Sequence, residues 1–256
     1  MFYVGIDIGS SAAKVCIMKE GEIVNTILMP TGYSSKETVE TIQSILEGEG
    51  IVVDGEGKNS TIVATGYGRI AVDYADDIKT EISCHGKGAY YLFEDDGTVI
   101  DIGGQDTKVI SLKRGRVMKF IMNDKCSAGT GKFTEIMANR LGVKHQDLEE
   151  LAQNGNPTKI SSMCTVFAES EVVSLIAEGK SREDIAHGVI DSVIEKVFQL
   201  ASQIKCDHYY LTGGFCQNKY FIEKLGKALE APVTSDDKAR FAGAIGAAIV
   251  ARELDD

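Results

Sequence analysis

Tryptophan is absent from the 256 residues, proline occurs three times, and aromatic side chains make up only 7%. With so little proline and no low-complexity tract, a disordered linker between folded parts is not expected. No stretch reaches the roughly 18 consecutive apolar residues of a spanning helix, so no membrane segment is predicted. Basic blocks are also missing: 27 Lys and Arg against 38 Asp and Glu leave a net charge of −11. That balance argues against nucleic acid and against an anionic membrane surface as partners. The opening MFYVGIDIG has neither the basic start nor the long apolar stretch of a secretory signal, which predicts a cytoplasmic protein. The six cysteines, Cys16, Cys84, Cys126, Cys164, Cys206 and Cys216, include no CxxC pair, so a self-contained zinc site is not expected. In a reducing cytosol they read as core residues, metal ligands or reactive thiols.

What the chain does have is a repeat. Residues 4–24, VGIDIGSSAAKVCIMKEGEIV, align at an offset of 94 with residues 98–118, TVIDIGGQDTKVISLKRGRVM. Eight of the 21 positions are identical, including Asp7 and Asp101, Gly9 and Gly103, and Lys14 and Lys108. Each copy reads as strand, glycine turn, strand, short turn, strand. A return that short excludes a parallel crossover, which needs a dozen or more residues. Two antiparallel hairpins therefore open two related domains, placed at 1–95 with 241–256 and at 96–240. Further along, apolar spacing predicts a helix over 35–46 with Val39, Ile42, Ile45 and Leu46 on one face. A strand over 60–65 and helices over 81–92, 127–141, 165–178, 181–204 and 241–253 follow, with a strand ending at Leu211.

Glycine in the turn after Asp7 (Gly9, Ser10, Ser11, Ala12) and in the turn after Asp101 (Gly103, Gly104, Gln105) removes the Cβ obstacle to a phosphate. Two carboxylates facing a common cleft can hold a hydrated Mg²⁺, and Lys14 can offer a point charge to phosphate. A third turn, Thr212-Gly213-Gly214, follows an apolar strand and can admit an adenosine. One DxG turn alone is only a hairpin turn; two of them with a later TGG read as a nucleotide site. Gly129-Thr130-Gly131-Lys132 mimics a Walker loop ending, but Cys126 and Phe133 occupy positions where that motif needs glycine and Ser/Thr.

This pattern resembles the actin, hexokinase and chaperone-ATPase superfamily over nearly the whole chain. The resemblance implies an α/β, actin/hexokinase-like (ribonuclease H-like) fold of duplicated βββαβαβα domains with a nucleotide cleft between them. It also implies that Asp7 and Asp101 bind the water shell of Mg²⁺ and that Lys14 and Gln105 approach the phosphates of ATP or ADP. Small residues in the two connecting helices, around 80–90 and 243–248, would allow a close crossing. Glu81 is a candidate for orienting the attacking water, or is an ordinary solvated helix carboxylate.

Two cysteines stand just ahead of predicted helices, where a helix N-terminus favours negative charge. Cys126 precedes a Ser127-Ala128-Gly129-Thr130-Gly131 turn that can present N–H groups to phosphate. Cys164 follows Ser161-Ser162-Met163 and precedes a helix with Phe167, Val172, Leu175 and Ile176 on its apolar side. Either thiol is a metal ligand or a structural residue. Two thiolates cannot complete a four-thiolate iron–sulfur site, whereas a two-fold dimer supplies four. NDKCSAGTGKF (123–133), SSMCTVFAESEVVSL (161–175) and ATGYGR (64–69) are similar to segments of the activator ATPases of 2-hydroxyacyl-CoA dehydratases and benzoyl-CoA reductases. That resemblance implies one [4Fe-4S] cluster bridging a homodimer through Cys126 and Cys164 of each subunit. It implies electrons arriving from ferredoxin or flavodoxin and passing, with ATP hydrolysis, to a partner iron–sulfur dehydratase or reductase. The chain departs from the family at Gly86, where alanine is usual, and within Gly214-Phe215-Cys216-Gln217-Asn218.

The competing readings are a small-molecule kinase of the same superfamily, of the type III pantothenate kinase kind, and a non-redox nucleotide switch. Cys16 and Cys206 read as core residues and His85 as a satisfied helix histidine. Tyr67 and Arg69 are either turn residues or partner-facing groups.

Overall fold

The repeat is visible in the backbone. β1 (Phe2–Ile8) pairs antiparallel with β2 (Ala12–Lys19), which pairs antiparallel with β3 (Glu22–Pro30). The corresponding strands of the second copy are β6 (Gly97–Ile102), β7 (Thr107–Lys113) and β8 (Arg116–Asn123). Both β2–β3 and β7–β8 turn through two residues at positive φ, Glu20 (54°) and Gly21 (88°), and Arg114 (50°) and Gly115 (70°). Such turns match the right-handed twist of the flanking strands, and glycine at the second place removes the steric cost there. The structure, a computed structural model, describes residues 1–162 and 164–255. Met163, part of the second cysteine motif, lies outside the described residues.

Each hairpin is extended by parallel strands into a five-stranded mixed sheet. The first has the order β3-β2-β1-β4-β5, with β4 (Ser60–Thr65) parallel to β1 and β5 (Asp77–Ile78) parallel to β4. The second has the order β8-β7-β6-β9-β10, with β9 (Tyr209–Gly213) parallel to β6 and β10 (Val233–Thr234) parallel to β9. Contacts divide the chain into two units, Met1–Asp96 with Leu112–Met118 and Lys238–Asp256, and Gly97–Ser111 with Lys119–Asp237. In the first unit β1 and β2 bury Val4, Ile6, Val15 and Ile17 against Val39, Ile42 and Leu46 of α1 (Ser35–Gly48). Thr38, not Ile45, completes the buried stripe of α1. The second unit packs α3 (Gly131–Leu141), α4 (Leu148–Gln153), α5 (Thr165–Ala177), α6 (Arg182–Ala201) and α7 (Lys219–Leu229) in one apolar cluster with its sheet.

Two expectations fail at helix ends and faces. The helix predicted from residue 127 begins at Gly131, because Thr130 turns back to bond the Ser127 carbonyl through both its N–H (3.1 Å) and its hydroxyl (2.6 Å). On α5, Phe167 and Ile176 are exposed (68% and 44%), while Thr165, Ala168 and Val172 face inward. α4 and α7 had no counterpart in the sequence reading, although Asn218 caps α7 by accepting from Phe221 N–H at 2.9 Å.

In the first unit α2 (Glu81–Phe93) crosses α8 (Ala242–Glu253) at very short range. A Cβ on Gly88 would lie 1.8 Å from the Ala242 carbonyl oxygen, and one on Gly246 would lie 1.7 Å from that of Cys84. Alanine favours a helix interior over glycine by about 1 kcal/mol. A backbone carbonyl cannot swing aside as a flexible side chain can, so the clash wins. Gly246→Ala is expected to cost about 1–3 kcal/mol or more, a fall of roughly 2–4 °C in Tm per kcal/mol for a chain of this size. Gly48→Ala, where a Cβ meets nothing within 4 Å, is the control and should not lower Tm in the same thermal melt.

Candidate functional site

Asp7 and Asp101 each stand one residue before the end of the central strand of their sheet, and both are 5% exposed. The repeat lysines meet them identically: Lys14 Nζ is 3.5 Å from Asp7 Oδ2, and Lys108 Nζ is 3.5 Å from Asp101 Oδ2. The adjacent parallel strand places Thr65 opposite Asp7 in one sheet and Thr212 opposite Asp101 in the other. Each threonine is followed by a glycine at positive φ, Gly66 (84°) and Gly213 (82°). A Cβ on Gly66 would lie 2.4 Å from Asp7 Oδ1 and 2.6 Å from the Ile8 carbonyl oxygen. On Gly213 it would lie 2.7 Å from Asp101 Oδ1 and 2.3 Å from the Ile102 carbonyl oxygen. Gly68 N–H then bonds the Ile8 carbonyl and Gly214 N–H that of Ile102, each at 2.9 Å. Thr65-Gly66 and Thr212-Gly213 are thus the same device, a relation not drawn from the sequence although both strands run into Thr-Gly.

The glycine turns match as well. Gly9 N–H bonds the Ala12 carbonyl at 3.1 Å, and Gly103 N–H bonds the Asp106 carbonyl at 2.9 Å. Ser10, Ser11 and Gln105 are exposed at the tips. The copies differ at one position under the turn, where Ala12 is replaced by Asp106. In the second unit the buried Lys108 ammonium lies 2.7 Å from Asp106 Oδ1 as well as near Asp101, while Thr212 Oγ1 donates to Asp101 Oδ1 at 3.1 Å. Asp106 and Lys108 were not among the predicted site residues; the signal was a lysine inside an apolar strand.

Two buried carboxylate oxygens, Asp7 Oδ1 and Asp106 Oδ2, have no hydrogen-bond partner among the described residues. An ionised oxygen in that state is costly. A cation carrying its own water shell relieves the cost with few protein ligands, which is how Mg²⁺ is commonly held. Asp7 therefore fits the predicted role, and Asp106 is a second oxygen of the same kind.

In the turn at Gly129–Gly131 the Thr130 and Gly131 amides are already taken by carbonyl oxygens. Gly131 N–H bonds the Gly103 carbonyl at 3.0 Å, Lys132 N–H bonds that of Gly104 at 2.8 Å, and Thr107 Oγ1 donates to the Gly129 carbonyl at 2.8 Å. The Gly131 and Lys132 amides fasten the start of α3 to the glycine turn that follows Asp101 instead. Cys126 lies five residues ahead of α3, not at its cap, in a loop held by Asn123 through the Cys126 carbonyl (2.8 Å) and the Ala128 carbonyl (3.2 Å). Cys164 is the N-cap residue of α5. Both thiols are free and exposed. The residues that follow them meet directly, Ser127 Oγ against Thr165 Oγ1 at 2.8 Å. Among the described residues no three His, Cys, Asp or Glu side chains gather to hold a metal ion. Two exposed cysteines whose following residues are hydrogen-bonded to each other would supply two of the sulfurs that a four-thiolate cluster site needs.

A protein-family model for the BadF/BadG/BcrA/BcrD ATPases matches residues 4–251. The chain belongs to that family. It is similar to the (R)-2-hydroxyglutaryl-CoA dehydratase activating ATPase of Acidaminococcus fermentans, 40% identical over 255 residues that cover 98% of this chain and 97% of the relative. The crystal structure of component A of that dehydratase superposes with a TM-score of 0.92 at 39% identity, covering all of both chains. The activator of 2-hydroxyisocaproyl-CoA dehydratase from Clostridium difficile, with bound ADPNP, superposes with a TM-score of 0.91 at 35% identity, covering all of this chain and 97% of that one. The actin/hexokinase-like α/β fold and the resemblance to dehydratase activators both stand.

Other residues of this BadF/BadG/BcrA/BcrD-family ATPase fall into place around these groups. Glu81 opens α2, whose N-cap Thr80 accepts from Ser83 N–H at 3.4 Å. Gly243 faces Asp7 Oδ2, which a Cβ there would approach to 2.8 Å. Arg69 donates to the Gly66 carbonyl at 2.8 Å and so serves its turn, whereas Tyr67 is exposed. His85 is buried in α2. Burial pushes the Cys16 thiol up to about 12 and the Cys84 thiol up to about 11, so neither supplies a thiolate. Cys206 is only partly buried, with Sγ donating to the His208 carbonyl at 2.9 Å. Glu171 of α5 accepts from the backbone and hydroxyls of Ser161 and Ser162 at 2.8–3.1 Å. Burial alone would raise that carboxyl, but these bonds outweigh it and hold it below the usual carboxylate range.

Lys108→Met keeps the volume and removes the cation between Asp101 and Asp106. Breaking a buried pair in this way costs about 3–5 kcal/mol, a fall in Tm of roughly 10 °C. Part of the loss should return at acid pH, because protonating one carboxylate removes the uncompensated charge. Denaturant melts at several pH values check both the size and the direction.

Proposed function

We propose that this chain is an ATP-driven reductive activator that works as a homodimer. One [4Fe-4S] cluster is held by Cys126 and Cys164 of each subunit. Electrons come from a ferredoxin or flavodoxin and go, with ATP hydrolysis, to an iron–sulfur partner such as a 2-hydroxyacyl-CoA dehydratase. The observation that carries this reading is the joining of two exposed cysteine segments to each other and to the second phosphate turn by side-chain and backbone hydrogen bonds. The similarity to activators of 2-hydroxyglutaryl-CoA and 2-hydroxyisocaproyl-CoA dehydratases supports a dehydratase partner. Exposed Val166, Phe167, Val173 and Ile176 on α5 give the Cys164 helix an apolar face, which suits a second copy.

In this reading Asp7 and Asp101 bind waters of Mg²⁺ and, with Glu81 and Gln105, serve hydrolysis. Gly9, Ser10, Ser11, Ala12 and Lys14, with Gly103, Gly104 and Gln105, receive the phosphates, and Gly213 and Gly214 admit the adenosine. Gly129 and Thr130 belong to the same site, Thr130 through the turn it braces, since its N–H and hydroxyl both bond the Ser127 carbonyl. The cluster, when bound, supplies one-electron transfer at a potential set by hydrogen bonds, net charge and exposure. A state-dependent stabilisation of about 5 kcal/mol corresponds to roughly 0.2 V for one electron. Nucleotide states must differ in affinity by as much. No observation favours the kinase or the non-redox switch over this reading.

Cys126→Ala, purified without oxygen, should be colourless and still bind ADP; full iron and sulfide content would reject the assignment. Asp7→Asn should retain the iron yet lose ATPase activity by at least about a hundredfold, since a metal ion supplies several kcal/mol of transition-state stabilisation. Wild-type turnover in Asp7→Asn would remove Asp7 from the site.

A further inference from the structure

Three buried threonines and one serine form a chain of hydroxyl bonds inside the second unit. Thr107, two residues beyond Gln105, donates to the Gly129 carbonyl at 2.8 Å. Thr130 donates to the Ser127 carbonyl at 2.6 Å, and the Ser127 hydroxyl meets the Thr165 hydroxyl at 2.8 Å. Thr107, Thr130 and Thr165 are 2%, 0% and 8% exposed. Segments 38 residues apart in sequence are therefore joined through side chains immediately beyond each thiol. Around this bridge each segment has its own clamp, Asn123 on the Cys126 loop and Glu171 on Ser161 and Ser162.

We propose that the Ser127–Thr165 hydroxyl bridge is the positioning element that makes the two cysteine segments move together, so that a change at the second phosphate turn reaches Cys164. The Cys126 segment follows the phosphate turn through three bonds, from Thr107, Gly131 and Lys132. Cys164 has no such fastening to that turn among the bonds of the described residues; its segment is coupled to Cys126 by the hydroxyl pair. Arg140 and Glu169 also pair between α3 and α5. That pair is largely solvated on the arginine side, where an ion pair contributes little. The hydroxyl pair is part-buried and directly joins the residues that follow the two thiols, and hydrogen bonds of this kind can carry coupling alongside the apolar packing of α3 and α5. The proposal deepens the reading of Cys126 and Cys164 as cluster ligands and rests on it.

The test uses the full-length, metal-free chain, in which both thiols can be alkylated. Rates of iodoacetamide labelling at Cys126 and Cys164 are measured by mass spectrometry without oxygen, with ADP and with the non-hydrolysable analogue ADPNP. In the wild type the ADPNP/ADP rate ratio should depart from one at both thiols. In Thr165→Val and in Ser127→Ala the ratio at Cys126 should persist, while that at Cys164 moves toward one by up to about fivefold, the worth of one hydroxyl hydrogen bond. Thr165→Ser should restore it, and the double variant should add nothing to either single change. A Cys164 ratio unchanged in Thr165→Val, a joint collapse at both thiols, or no nucleotide effect in the wild type would each overturn the proposal. Iron content of the reconstituted wild type is measured separately. A chain that binds no iron but shows the labelling pattern would refute the cluster and leave the bridge standing.

Discussion

At the end of the central strand in each sheet, a carboxylate lies beneath a glycine of the neighbouring parallel strand. The spacing leaves no room for a Cβ, and the glycine φ lies in the region that L side chains rarely adopt. Strand register, turn geometry and the position of the aspartate are thus parts of one constraint. Parallel pairing of β1 with β4 sets Thr65 and Gly66 against Asp7, and β6 with β9 sets Thr212 and Gly213 against Asp101. The carboxylates are then buried, each beside a lysine and against the glycine that ends the neighbouring strand. Everything assigned to a nucleotide depends on this packing.

The duplication is broken where the chemistry diverges. Beneath the first turn Ala12 offers no carboxylate and Lys14 lies by Asp7; beneath the second, Asp106 stands beside Lys108 together with Asp101. A buried ammonium between two carboxylates is one negative charge in excess, and Asp106 Oδ2 has no partner of its own among the described residues. That unit is also the one with the exposed cysteines, and its glycine turn gives carbonyl oxygens, not amides, to the first residues of α3. The first turn has no such attachment in the described bonds beyond its own unit's strand and Thr31, whose hydroxyl donates to the Gly9 carbonyl at 2.7 Å. The two copies hold their aspartates alike and differ in what is bolted to them.

Much of the architecture could be read from residue order. The offset of 94, the two-residue Glu-Gly and Arg-Gly turns, and the apolar spacing of α1, α2, α6 and α8 follow local rules that leave periodic traces. Short elements left less: β5 and β10 are two residues each, and α4 is six. Such pieces are stabilised by neighbours and lack enough length for a period to show. The faces of α5 were misjudged because apolar residues lie all around it, so Phe167 and Ile176 carried no sign of which side would be covered.

The sites divide in the same way. Asp7, Asp101 and the glycine turns announce themselves as a repeated string, and Cys126 and Cys164 as thiols in unusual company, since identity and spacing along the chain are enough for both. Folding alone brought Gly66 over Asp7, turned the Gly131 and Lys132 amides onto the carbonyls of Gly103 and Gly104, and set the hydroxyl of Ser127 against that of Thr165. Those pairings join residues distant in sequence through single hydrogen bonds or through the room a missing Cβ leaves. Neither has a period, a composition or a spacing by which a linear string could declare it.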